Sequence, residues 1–160
     1  MTLYFQLLQF LHVIGATVLL GTGAGIAFFM LRAHLTRNAF VIAGVARIVV
    51  TADFVFTATA VVVQPVTGYL LASFLGYPIF DGWIGLSLIL YAVTGAFWIP
   101  VVFMQIRMRD LAEAAVREGT TLPRRYHRLF WTWFAFGFPA FAAVLGILWL
   151  MTSRPMFSFF

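Results

Sequence analysis

The sequence predicts an all-α protein, a four-transmembrane-helix bundle with both termini on the periplasmic side, and three observations carry that expectation. Of 160 residues, 63% are hydrophobic and only 9% are charged, against about a quarter charged in soluble domains. Four charge-poor stretches are each long enough to cross a hydrocarbon core, which takes about 20 residues of helix. Nine of the ten arginines lie between stretches one and two or between three and four, so the positive-inside rule places both connections in the cytoplasm. The chain, 1–160, is expected to form a single integral membrane domain of the bacterial inner (cytoplasmic) membrane.

The first helix, about 3–31, opens Met1-Thr2-Leu3-Tyr4-Phe5 without a basic segment, and its apolar run is too long for a signal peptide, so it is taken as a mature span. The second, about 48–75, carries one acid, Asp53, near its start. The third, about 83–116, begins at Trp83 and leaves the bilayer as Met108–Glu118. There the i,i+4 pairs Arg109/Glu113 and Glu113/Arg117 suit a solvated helix that stops at Gly119-Thr120-Thr121-Leu122-Pro123. The fourth covers about 129–152. Pro65, Pro100 and Pro139 fall inside spans, where neighbouring groups can satisfy the carbonyls that proline frees, and kinks are expected there. Gly21 with Gly25, and Ala142 with Gly146, are spaced for close helix packing. Most of the five tryptophans lie near span ends, as interfacial belts do.

Much chemistry is excluded. Cysteine and lysine are both absent, which removes thiolate sites, disulfides, Schiff-base chemistry and phosphate-loop lysines, and no GxxxxGK[ST], HExxH or GxSxG pattern occurs. Whether the chain is an enzyme is left open. The arginines cluster at helix ends rather than on one groove-facing surface, which argues against nucleic acid as a partner.

Function is therefore sought where polarity is placed in the membrane despite its cost. At about 1.5 Å per residue the candidates sort into two layers. His12, about 13 Å below the outer surface, and Gln64, about 16 Å below it, share the external layer. Arg47, Asp53, Gln105 and Arg107 form the cytoplasmic layer, with Asp53 about 9 Å deeper than Arg47. His12 is the only histidine placed in lipid, since His34 and His127 fall in the arginine-rich connections. A neutral imidazole ligates iron, copper or zinc, and Gly15 and Ala16 on the same face leave room for a flat macrocycle or a close helix. A second axial ligand would have to come from Met151, Met156 or another subunit. Asp53 and Arg47 do not face each other at i and i+6, so Asp53 is expected to pair with an arginine of another helix, and Asp53 and Gln105 are candidates for a buried polar or ion-pair layer.

The segments Leu11-His12-Val13-Ile14-Gly15-Ala16, Gly21-Thr22-Gly23-Ala24-Gly25, Ala52-Asp53, Gln64-Pro65-Val66-Thr67-Gly68, Trp98-Ile99-Pro100 and Gln105-Ile106-Arg107-Met108-Arg109 resemble the bacterial integral membrane family called domain of unknown function 2269, over nearly the whole chain. The Leu11-His12 helix alone is similar to the four-helix haem-b protoporphyrinogen oxidases and to copper-resistance D proteins. That likeness implies His12 as a haem or metal ligand. Those oxidases also use a lysine, which this chain lacks, so oxidase activity is not carried over.

Two functions fit these residues. One is haem b held through His12, with Gly15, Gln64, Arg47 and Arg107 around it, in electron transfer with a quinone or a membrane redox partner. The other is a non-enzymatic scaffold or small-solute transport subunit in which the same polar groups hold helices or line a path. A homo-oligomer suits either.

Overall fold

The computed structural model describes residues 2–80 and 82–155. They form α1 (Leu3–Leu35), α2 (Ala39–Ala52), a π turn (Asp53–Thr57), α3 (Ala58–Leu75), α4 (Gly82–Glu118) and α5 (Arg124–Ser153). Because α2, the π turn and α3 run on without a break, four helices of 33, 37, 37 and 30 residues are long and apolar enough to cross a membrane. At about 45–55 Å each they exceed a ~30 Å hydrocarbon core by several turns.

The boundaries differ from the sequence expectation mainly at the arginine-rich end. The connection between the first two spans shrinks to Thr36-Arg37-Asn38. Arg37 takes a left-handed conformation with φ 55°, and the Asn38 side chain caps α2 by accepting from the backbone N–H of Phe40 and Val41, at 2.9 and 3.3 Å. That cap, followed by the apolar run Ala39–Ala46, starts the helix nine residues before the expected 48. His34 and His127 consequently lie in helices rather than loops, and the His34 ring stacks on Phe130 at 3.7 Å with an interplanar angle of 1°. The end of α4 is as expected: Gly119, at φ 65°, lets Thr120 N–H reach back to the Ala115 carbonyl at 2.9 Å, a Schellman-type stop.

Packing is uneven along the bundle. The buried core gathers in its arginine-rich half, where Met30, Ile42, Ala46, Met108, Tyr126 and Phe130 interlock from all four spans. There α2 packs on α4 and α1, and α4 packs along α5; towards the other end α3 packs on α1, and not closely on α4 or α5 among the described residues. The π turn accounts for this change of partner. Its extra residue per turn rotates α3 by about 100° relative to an uninterrupted α-helix, so the stripe that faces α4 and α1 above the turn faces α1 alone below it.

All three prolines stay inside helices. Pro65 supplies no N–H for the carbonyl of Val61, four residues earlier. The Tyr91 hydroxyl of α4 donates to that same carbonyl. One phenol thus repairs the helix and ties α3 to α4 where their backbones do not meet.

Of the two small-residue faces expected to pack closely, one does so. A Cβ added to Gly21 would meet nothing within 4 Å, and one on Gly25 would meet only Phe29 of its own helix, so this pair makes no close helix contact among the described residues. Gly146 does, its added Cβ lying 3.1 Å from Leu90 Cδ1.

Candidate functional site

His12, Gly15 and Gln64 come together at the α1–α3 contact. The α1 stripe Phe5, Leu8, His12, Gly15 follows helical spacing, and Phe5 meets Phe74 of α3 at 5.2 Å between ring centroids. Across it, Gln64 and Thr67 are buried on the facing stripe of α3. Gln64 Nε2 donates to the backbone carbonyl of His12 at 2.7 Å. Its amide fills the place a Cβ on Gly15 would need, with Cδ 3.3 Å from that position. The space over Gly15 thus holds a side chain of the neighbouring helix.

The His12 ring is held on two sides. Nδ1 lies 2.8 Å from Thr67 Oγ1, and a Cβ on Gly68 would sit 3.1 Å from its Cε1. Thr67 Oγ1 has two acceptors in its own helix, the carbonyls of Val63 at 2.8 Å and Gln64 at 3.2 Å. No hydrogen bond from the protein reaches Nε2 among the described residues. No group of three or more His, Cys, Asp or Glu gathers there or elsewhere among the described residues.

Arg47 and Arg107 are not brought to this site. Arg47 stands on α2 in the arginine-rich half, where its Nε and Nη2 both donate to Glu113 Oε1, at 3.1 and 2.9 Å. Arg107 is exposed on α4 in the same half. The i,i+4 pairs expected for Glu113 give way to this contact, and Arg109 instead binds its neighbour Asp110 at 2.7 Å. Arg154, the arginine at the His12 end, caps α5 in a left-handed conformation. Met156 lies outside the described residues.

Asp53 and Gln105 form a second buried cluster, each only 3% exposed. Asp53 has no arginine partner among the described residues, contrary to the expected ion pair. Its Oδ1 accepts from Trp98 Nε1 at 3.3 Å. With the Gln105 amide oriented to satisfy both neighbours, its nitrogen donates to Asp53 Oδ2 at 3.1 Å and its oxygen accepts from Trp133 Nε1 at 3.2 Å. Thr57 approaches the carboxyl from the far end of the π turn without closing a hydrogen bond of normal geometry. Three spans are thus joined by N–H donors around one carboxyl, which serves a buried acid without a second charge to desolvate. Trp98 and Trp133 are spent here rather than at an interface, whereas Trp131 and Trp149 are exposed. Sequence reasoning missed Thr67, Trp98, Trp133 and Tyr91. Thr67 and Trp98 carried a signal, since each falls at helical spacing from a polar residue already singled out, Gln64 and Gln105.

Comparison with curated proteins and with solved structures returns no match. A family model described as predicted integral membrane protein (DUF2269) matches residues 6–155. With four apolar helices spanning that same stretch, the chain is a multi-pass integral membrane protein and belongs to this family.

Proposed function

We propose that the chain is a haem b-binding subunit of the bacterial inner membrane, with both termini periplasmic, that takes part in membrane electron transfer through His12. One observation carries this assignment. Thr67 has a single hydroxyl proton and two carbonyl acceptors in its own helix; spending that proton there leaves its oxygen to accept from His12 Nδ1. The Nδ1–H tautomer keeps a lone pair on Nε2, and a hydrogen-bonded second nitrogen is the usual setting of a metal-ligating histidine.

The fit of a haem to these residues is confined to His12. Nε2 would be the donor to the iron, while Gln64, through the His12 carbonyl, and Gly68, close against Cε1, hold the helix and the ring. Propionate charge would meet Arg154 and the interface rather than Arg47 or Arg107, which stand in the opposite half. Haem supplies one-electron chemistry when bound, with a quinone or a membrane redox protein as the exchange partner.

The test is a haem titration of the full chain in detergent, followed by its Soret band. Wild type should saturate, and His12→Ala should bind at least tenfold more weakly. Equal binding by the two would remove His12 as the ligand, and no saturable binding by either would leave the scaffold or small-solute transport function, in which Gln64 and Thr67 serve only to hold α3 on α1.

A further inference from the structure

We propose that the α2–α4 edge in the arginine-rich half binds one anionic glycerophospholipid of the surrounding bilayer, its phosphate between Arg47 and Arg117 and an acyl chain along the outer face of α2. Two adjoining cavities support this. The first, about 270 Å³, lies between α2 and α4 over Phe40, Gly44 and Val116 and is rimmed by Arg47, Glu113 and Arg117. The second, about 450 Å³, opens to the lipid side beneath Arg47 along Ile48, Thr51, Val55 and Phe56. Arg47 belongs to both. Phe40, Gly44, Arg47, Thr51 and Val55 follow one helical stripe, at steps of four, three, four and four residues, so the polar cavity continues into the apolar one on a single face.

The charges select the occupant. Arg47 and Arg117 give two positive charges and Glu113 one negative, a surplus of one that a phosphodiester anion neutralises. Glu113 engages Nε and Nη2 of Arg47, which leaves Nη1 without a protein partner among the described residues. Arg117 makes no ion pair among the described residues and is exposed beside it. An ammonium-bearing zwitterionic headgroup would add a cation to a wall already in surplus. Depth agrees as well: Arg47 lies six residues, about 9 Å, from buried Asp53 towards the arginine-rich end, so the guanidinium reaches headgroup level while Val55 and Phe56 stay at acyl depth. Basic pockets between spans at a membrane edge recognise anionic headgroups in this way.

The experiment is native mass spectrometry of the full chain in detergent with added phosphatidylglycerol or phosphatidylcholine of identical acyl chains. One phosphatidylglycerol should bind in preference, and Arg117→Gln should weaken it about fivefold. Gly44→Leu tests the groove by volume without breaking the ion pair, since a Cβ there meets nothing within 4 Å; it should fold normally and lose the preference. Arg124→Gln, a charge of the same half outside the groove, should keep it. Equal binding of the two lipids, an unchanged preference in Gly44→Leu, a loss as large in Arg124→Gln as in Arg117→Gln, or complete displacement by millimolar inorganic phosphate would each overturn the assignment. None of these outcomes depends on haem.

Discussion

Replacing Tyr91 by Phe removes one oxygen, and the structure says what that oxygen does. It donates to the Val61 carbonyl, which Pro65 has deprived of its helical partner. Away from water, a carbonyl left without any donor costs about 1–3 kcal/mol, so Tyr91→Phe should destabilise the bundle by that amount while keeping the ring's packing. The cause is separable from mere loss of a side-chain contact by a double-mutant cycle. In a Pro65→Ala background the backbone N–H gained at that position supplies Val61, and Tyr91→Phe should then cost under about 1 kcal/mol, a coupling of about 1–2 kcal/mol. Reversible unfolding of the four proteins in mixed micelles, followed by tryptophan fluorescence, measures it. Equal costs of Tyr91→Phe in both backgrounds would show that the hydroxyl does not stand in for the N–H that Pro65 lacks.

Other substitutions act through the same contacts. Gly15→Ala drives a methyl into the Gln64 amide and should cost about 1–3 kcal/mol by displacing its bond to His12, whereas Gly21→Ala, facing open space, should stay within about 0.5 kcal/mol of wild type; the same unfolding assay ranks them. Asp53→Asn gives up one of two acceptor oxygens and sets an NH₂ against Trp98 or Gln105, so it should destabilise by about 1–3 kcal/mol and alter the emission of Trp98; an unperturbed variant would show the cluster to be unimportant for stability. Thr67→Val keeps the side chain's shape but removes the acceptor for His12 Nδ1–H, and haem affinity should fall about 10- to 100-fold in a Soret titration while His12 remains in place. Unchanged affinity would detach Thr67 from the tautomer.

Composition and charge made the spans legible, because lipid demands long apolar helices and arginine marks their ends. Periodicity could not show the π turn at Asp53–Thr57: the apolar and polar residues around it keep ordinary helical spacing, and only the packing partners change. The start of α2 was missed because Arg47 reads as a boundary by charge alone, while the Asn38 cap and the Glu113 contact let the helix run through it. The His12–Gln64 layer was legible from depth arithmetic. The Asp53 layer was legible in its members but not in its chemistry. An ion pair was expected because many arginines lay at compatible depth, yet tryptophan and glutamine N–H groups solvate the carboxyl instead. Such donors leave little signal in one sequence, since a tryptophan near a span end resembles an interfacial anchor. The Tyr91–Val61 bond was foreshadowed only by Pro65, which announces a free carbonyl without naming its donor.

The proposed function stands on His12 presenting Nε2 to a haem iron. The most direct measurement is a reduced-minus-oxidised absorption spectrum of the full chain, purified with ample haem supply, with a pyridine haemochrome determination on the same sample and on His12→Ala. Wild type should show a b-type spectrum with about one haem per chain and the variant none. A colourless wild-type protein, or a variant with the same haem content, would contradict the proposed function.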